Sequence, residues 1–105
     1  MRREDTINKI SDMMKNRFPD VETYLYGSVA RGEDTSESDI DLLILLPGSL
    51  ADKEWKDRKY EIMDELFDLE IKEESNFSPF VIPKEEWEKH VTPFTINVAR
   101  EGIRI

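Results

Sequence analysis

Residues 39–46, with the sequence DIDLLILL, restrict the possible folds more than any other part of the chain. Successive side chains of a β-strand point to opposite faces, so the two acids of the segment, Asp39 and Asp41, share one face. Beyond these acids both faces of the strand are apolar. A strand of this kind has to be covered on both sides, as central strands of α/β proteins are. The segment therefore predicts a central strand between two layers.

The rest of the chain alternates between helical and strand patterns. Apolar residues spaced three or four apart indicate helices, whereas short β-branched and aromatic runs bounded by Gly, Pro or Asn indicate strands. In order, the patterns predict a helix over 7–18, a strand over 21–26, a turn and loop over 28–38, a helix over 52–72, a strand over 77–82, a short helix over 83–87 and a last helix that Thr92 caps and Pro93 begins. Pro79 favours a sheet edge for its strand. This order predicts an α/β layer fold and a single domain over 1–105.

The composition excludes several classes of function. The net charge is −9, and 37% of the residues are charged. Because phosphate affinity depends on Lys and Arg contacts, we expect no general nucleic-acid binding and no membrane binding. The chain has no cysteine, which excludes disulfides, thiolate metal sites and thiol nucleophiles. Its longest apolar run is far shorter than the roughly 20 residues that span a bilayer, so we expect a cytoplasmic protein.

The segment YGSVARG over 26–32 carries a possible phosphate site. Gly27 has no Cβ, so the backbone at the end of its strand can approach a ligand closely. Ser28 then lies where a helical turn begins, with a hydroxyl and free N–H groups that favour a phosphate. Arg31 follows one turn later and can donate charge-assisted hydrogen bonds to the same anion. Taken alone, these residues also fit a capped surface turn with a solvated arginine.

The two acids of the central strand strengthen the phosphate interpretation. Asp39 and Asp41 point to the same side, and two like charges beside an apolar core raise each other's pKa. A divalent cation removes that repulsion, and Mg²⁺ is typically bound by one or two carboxylates together with substrate phosphates and water. Such a metal neutralises charge on a transferring phosphoryl group. Exposed acids at a strand end are common, so the pair is informative mainly in combination with the preceding turn.

The combination of motifs resembles a known family. GS at 27–28 is followed after ten residues by DID at 39–41, with ARG at 30–32 between them. This pattern resembles the nucleotidyltransferases of the DNA polymerase β superfamily, and in particular their short branch, the minimal nucleotidyltransferases (MNT). The chain length and the closing EGI at 101–103 are also similar. The resemblance implies a small mixed β-sheet backed by helices, with Mg²⁺ and ATP as ligands.

The resemblance also implies roles for individual residues. By this similarity Gly27 and Ser28 bind the nucleotide phosphates, with Arg31 as a further nucleotide-binding residue. Asp39 and Asp41 are expected to bind the metal and to be catalytic. Proteins of this kind form the MNT half of HEPN–MNT toxin–antitoxin pairs. The implied function is transfer of AMP from ATP to a hydroxyl of a partner protein, the activity of an MNT-type antitoxin toward a HEPN-type helical protein.

The sequence departs from the family pattern at one position. Active members of the superfamily usually supply a third carboxylate from a later strand, and the predicted strand over 77–82 contains no Asp or Glu. If residues 68–72 formed the strand instead, Asp68 or Glu70 would be candidates. The length of the segment and its apolar stripe favour a helix there. Two other functions therefore stay open: a non-catalytic module that neutralises a HEPN-type partner by complex formation, and a catalytic subunit for a small molecule presented by a separate chain.

Overall fold

The computed structural model describes residues 3–105, so the first two residues of the predicted domain lie outside it. None of the helices in this part of the chain combines the length and the apolar character needed to cross a bilayer. The elements are α1 Arg3–Arg17, β1 Glu22–Tyr26, α2 Gly27–Arg31, β2 Ile40–Leu46, α3 Trp55–Glu73, β3 Phe77–Pro83, α4 Lys84–Lys89, α5 Pro93–Glu101 and β4 Ile103–Arg104.

The strands form one mixed sheet in the order β3-β2-β1-β4. β2 is antiparallel to β1 and parallel to β3, and β4 is antiparallel to β1. The predicted mixed sheet backed by helices is confirmed, and β2 is an inner strand as expected. Pro79 lies in the edge strand β3, where an edge can tolerate a residue without an N–H group. The registers place Tyr26 and Ser78 on either side of Asp41.

β2 is buried on both faces, as its sequence predicts. One face, which carries Ile40, Leu42, Ile44 and Leu46, packs in the main core. That core also includes Ile10 and Met14 of α1 and Ile62 and Leu66 of α3. The opposite face carries Leu43 and Leu45, which form a second buried cluster with Val98 of α5 and with the partly buried Trp87 of α4. The sheet is thus the middle of three layers. This arrangement leaves Asp41 of β2, and Asp39 just before the strand, at the border of the second cluster.

The strand considered for residues 68–72 is wrong, because these residues continue α3. Ile62 and Leu66 occupy the buried side of this helix, whereas Phe67 and Ile71 are 60% and 61% exposed. The strand-like alternation therefore arises from apolar residues on the outer face of a helix. Glu74 ends α3 in the left-handed conformation, with φ 51°.

Several boundaries differ from the sequence prediction, and one strand was not predicted. β2 begins at Ile40, so Asp39 is the last residue of the preceding loop. α3 begins at Trp55, because a turn precedes it in which the Ser49 N–H donates to Asp52 Oδ2 at 2.9 Å. β4 was not predicted, since two residues with exposed side chains produce no periodic pattern.

Candidate functional site

Gly27 forms the corner between β1 and α2. Its φ of +79° lies in the left-handed region that glycine adopts without steric cost. A Cβ at this position would collide with Oδ2 of Asp41. The structure therefore brings the acid of β2 directly against the backbone of the corner, and glycine is required for that approach.

The two acids lie in different surroundings. Asp41 is partly buried, and burial is the largest cause that raises its pKa, followed by the negative charge of Asp39. The charge of Arg31 acts in the opposite direction, and that of Glu101 raises the pKa further. Asp39 is exposed, and its Oδ2 accepts a hydrogen bond from the Ser78 hydroxyl at 3.2 Å. The negative charge of Asp39 thus acts on Asp41, as expected for two carboxylates that lie close together.

Ser28 and Arg31 lie on the short helix that starts at the corner. Within residues 3–105 the Ser28 hydroxyl makes no hydrogen bond, while its carbonyl accepts the Glu33 N–H at 2.9 Å. Gly32 ends the helix in the left-handed conformation, with φ 72°. The turn between the two motifs is therefore closed by its own backbone, and the Ser28 hydroxyl is left to a ligand or to solvent.

Glu101 belongs to this site, although sequence reasoning did not include it among the site residues. Its Oε1 accepts the Gly27 N–H at 3.2 Å, and its Oε2 lies 2.9 Å from Nη1 of Arg31. The hydrogen bond from Arg31 is the main cause that lowers the pKa of Glu101. The closing EGI segment resembled the family, but no local pattern indicates that its acid reaches a corner 74 residues away along the chain.

The position beside Asp41 in β3 is occupied by Ser78. The two other acids considered do not replace a third carboxylate here, since Asp68 is exposed on α3 and Glu70 accepts the Phe77 N–H at 2.6 Å. Among residues 3–105, no three carboxylate or imidazole groups gather as a metal-binding cluster. The protein side chains that fit a cation here are therefore the pair Asp39 and Asp41.

This donor set suits a hard divalent cation that is shared with a ligand. Asp41 is a partly buried carboxylate whose charged form is disfavoured by burial and by Asp39, and a cation would relieve both penalties. Mg²⁺ commonly combines one or two carboxylates with phosphate oxygens and water. The pair and the adjacent Ser28 corner therefore fit a metal-bound phosphate better than a metal held by protein groups alone.

An aromatic cluster borders the acids on the same side of the sheet. Phe94 of α5 packs edge-on against Tyr26, with ring centroids 5.8 Å apart, and Tyr26 is the cross-strand neighbour of Asp41. Phe80 and Trp87 complete the cluster. Burial is the main cause that raises the pKa of Tyr26. These rings therefore lie on the face of the sheet that α4 and α5 cover, next to the candidate site.

The mixed sheet, its two helical layers and the glycine corner define a domain of the nucleotidyltransferase type. The chain belongs to the nucleotidyltransferase domain family, whose profile matches residues 7–103. Its enzyme class is accordingly that of a nucleotidyltransferase, and the resemblance inferred from the motifs is confirmed. Comparison with curated proteins gives no match.

Three solved structures share the fold. A candidate nucleotidyltransferase from Sulfolobus solfataricus has a TM-score of 0.61 and 22% identity, over 95% of this chain and 76% of that chain. A toxin–antitoxin complex with AMP-PNP has a TM-score of 0.56 and 20% identity, over 97% and 71% of the two chains. A mutant of the toxin–antitoxin MntA–HpeT has a TM-score of 0.55 and 18% identity, over 92% and 69%. At these identities the similarity shows the fold alone.

Proposed function

We propose that the protein is a Mg²⁺-dependent nucleotidyltransferase that transfers AMP from ATP to a hydroxyl of a partner protein. In this proposal Asp39 and Asp41 hold the metal, Gly27 and Ser28 bind the phosphates, and Arg31 stabilises their charge. The observation that supports it most directly is the contact of Asp41 with the Gly27 corner. Two motifs that are separate in the sequence there meet at one point.

The proposed reaction follows from these positions. The acceptor oxygen attacks the α-phosphorus of ATP and forms a new P–O bond, while the bond to the α,β-bridging oxygen breaks. Pyrophosphate leaves with that electron pair, and the hydroxyl proton passes to solvent. Mg²⁺ would neutralise charge on the reacting phosphates. Because phosphoryl transfer depends chiefly on positioning and charge stabilisation, Ser28 and Arg31 would contribute by orienting the triphosphate.

The partner proposed for this reaction is a HEPN-type helical protein, with the chain as an MNT-type antitoxin in the cytoplasm. Two of the structures that share its fold are toxin–antitoxin complexes, one of them with AMP-PNP. The net charge of −9 argues against a nucleic-acid acceptor.

The proposal is tested by incubating the protein with Mg²⁺, ATP labelled at the α-phosphate and a purified HEPN-type partner. We expect label on the partner, and Asp39→Asn combined with Asp41→Asn should reduce the labelling by about a hundredfold or more. The matched control is Asp57→Asn combined with Asp68→Asn, which removes the same charge from exposed positions of α3. Equal labelling by the site variant and the control would refute the proposal.

One observation favours a second function. The serine beside Asp41 in β3 supplies no carboxylate at the position next to the acid pair. A domain without that group would serve as a binding module that neutralises a HEPN-type partner by complex formation. Growth rescue by the Asp39/Asp41 double variant, in cells that express the partner, would favour this function. Loss of rescue with retained complex formation would favour catalysis.

A further inference from the structure

Glu101 connects the far end of the chain to the candidate nucleotide site. Its carboxylate bridges two groups of the motif, with Oε1 at 3.2 Å from the Gly27 N–H and Oε2 at 2.9 Å from Nη1 of Arg31. The 2.9 Å bond joins two charged groups, and such charge-assisted hydrogen bonds are stronger than neutral ones and restrict orientation. Glu101 therefore holds the start of α2 and the side chain at its end in one arrangement.

The arrangement leaves donors free for a ligand. Arg31 donates Nε to Glu33 Oε1 at 2.9 Å and Nη1 to Glu101 Oε2, whereas Nη2 makes no hydrogen bond to any residue of 3–105. The Ser28 hydroxyl is similarly without a partner in this part of the chain. A guanidinium has five N–H donors, so two carboxylates can orient it and still leave donors for phosphate oxygens.

The backbone around Glu101 keeps its carboxylate at the corner. The Gly102 N–H donates to the Val98 carbonyl at 2.7 Å, and a Cβ on Gly102 would lie 2.6 Å from the same oxygen. Ile103 then pairs with Leu25, two residues before the corner. α5 and β4 thus fix Glu101 from both sides, so its contact with Gly27 and Arg31 is built into the fold.

We propose that Glu101 is a positioning residue for the nucleotide site, which orients the Arg31 guanidinium and the Gly27 corner toward the triphosphate. This inference rests on the proposed nucleotide binding. Glu101 acts through Arg31 and Gly27 and does not itself contact the nucleotide. Loss of its charge frees the guanidinium to rotate, so binding has to restrict that rotation again.

If Glu101 instead competed with the nucleotide, its removal would change the affinity for ATP in the opposite direction. A carboxylate that merely occupied the phosphate donors would compete with ATP, and its removal would tighten binding. Glu101 does occupy the Gly27 N–H, but Nη2 of Arg31 and the Ser28 hydroxyl make no hydrogen bond within residues 3–105, and these remaining donors favour positioning. The direction of the change in affinity therefore separates the two roles.

The experiment measures the dissociation constant of MgATP by calorimetry for the wild type, Glu101→Gln and Glu33→Gln. Glu33→Gln is the matched control, since it also neutralises a carboxylate bound to Arg31 but does not contact Gly27. We expect Glu101→Gln to weaken binding by about tenfold, the effect of losing a hydrogen bond to a charged group, and Glu33→Gln by about twofold or less. In the transfer assay, KM for ATP should rise while kcat changes little.

Two further measurements separate positioning from general stability. Glu101→Asp keeps the charge and should recover part of the affinity, and thermal melting establishes a temperature at which every variant is folded. The NMR signal of the Arg31 Nη1–H, which donates to Glu101, should broaden or shift in Glu101→Gln more than in Glu33→Gln. Equal weakening by Glu101→Asp and Glu101→Gln, or binding by Glu101→Gln as tight as the wild type, overturns the inference. No MgATP binding by the wild type overturns the proposed function and this inference with it.

Discussion

Gly27 stands where two distant segments of the chain meet. Its missing Cβ predicts a close approach of the backbone to a ligand, and in the structure the approaching group is the Asp41 carboxylate. The same residue needs φ +79°, which other residues adopt only at a cost. Glycine at this position thus leaves room for the Asp41 carboxylate and also adopts the positive φ. Both properties allow the acid to reach the corner.

These two requirements can be separated by substitution. Gly32→Ala has a similar φ of +72° but no neighbouring atom within 4 Å, so it should cost about 1 kcal/mol of unfolding free energy from backbone strain alone. Gly27→Ala adds the collision with Asp41 and should cost about 2–3 kcal/mol. Urea denaturation measures both values. Equal losses would show that the carboxylate moves away freely.

α5 is the element that joins the second layer to the site. Its first residues carry Phe94 against Tyr26, its middle carries the buried Val98, and its last residue is Glu101. The prediction that Thr92 caps this helix is confirmed, because Thr92 Oγ1 accepts the Thr95 N–H at 3.2 Å. The cap was readable from local sequence, whereas the contact of Glu101 was not, since it depends on where the helix docks.

The cap of α5 should contribute measurably to stability. Thr92→Ala removes the acceptor for the Thr95 N–H and should lower the free energy of unfolding by about 1 kcal/mol. Thr92→Ser keeps a capping hydroxyl and is the matched control, with little change expected. Chemical denaturation measures both. A loss in Thr92→Ser as large as that in Thr92→Ala would indicate that the methyl group, and not the cap, is responsible.

At the scale of the whole molecule, ion pairs tie the layers of this acidic chain together. Lys84 Nζ of α4 lies 2.7 Å from Glu22 Oε2 of β1, and the Tyr24 hydroxyl donates to Glu22 Oε1 at 2.7 Å. The hydrogen bond from Lys84 is the largest cause that lowers the pKa of Glu22 below its usual value of 4.5. A carboxylate with a lowered pKa in the folded state stabilises the fold above its unfolded pKa.

This pair predicts a defined pH dependence. Lys84→Met should lower the free energy of unfolding slightly at pH 7, because it removes the main partner that lowers the pKa of Glu22 and because solvent screens this partly exposed pair. The difference from the wild type should persist above pH 4.5 and disappear as the pH falls through the lowered pKa of Glu22. Lys89→Met, which removes an exposed pair with Glu85, is the control and should change stability little. A difference that is constant from pH 7 to pH 3 would contradict this assignment.

The local sequence determined that β2 is a covered inner strand and that a small-residue turn precedes a pair of acids. These features depend on side-chain alternation and on neighbours in the chain, which are visible without coordinates. Only the tertiary structure decided that Ser78 lies beside Asp41, that β4 joins β1 and that Glu101 reaches the Gly27 corner. Those contacts join residues far apart in the chain, and they follow from strand register and helix docking, for which no sequence period exists.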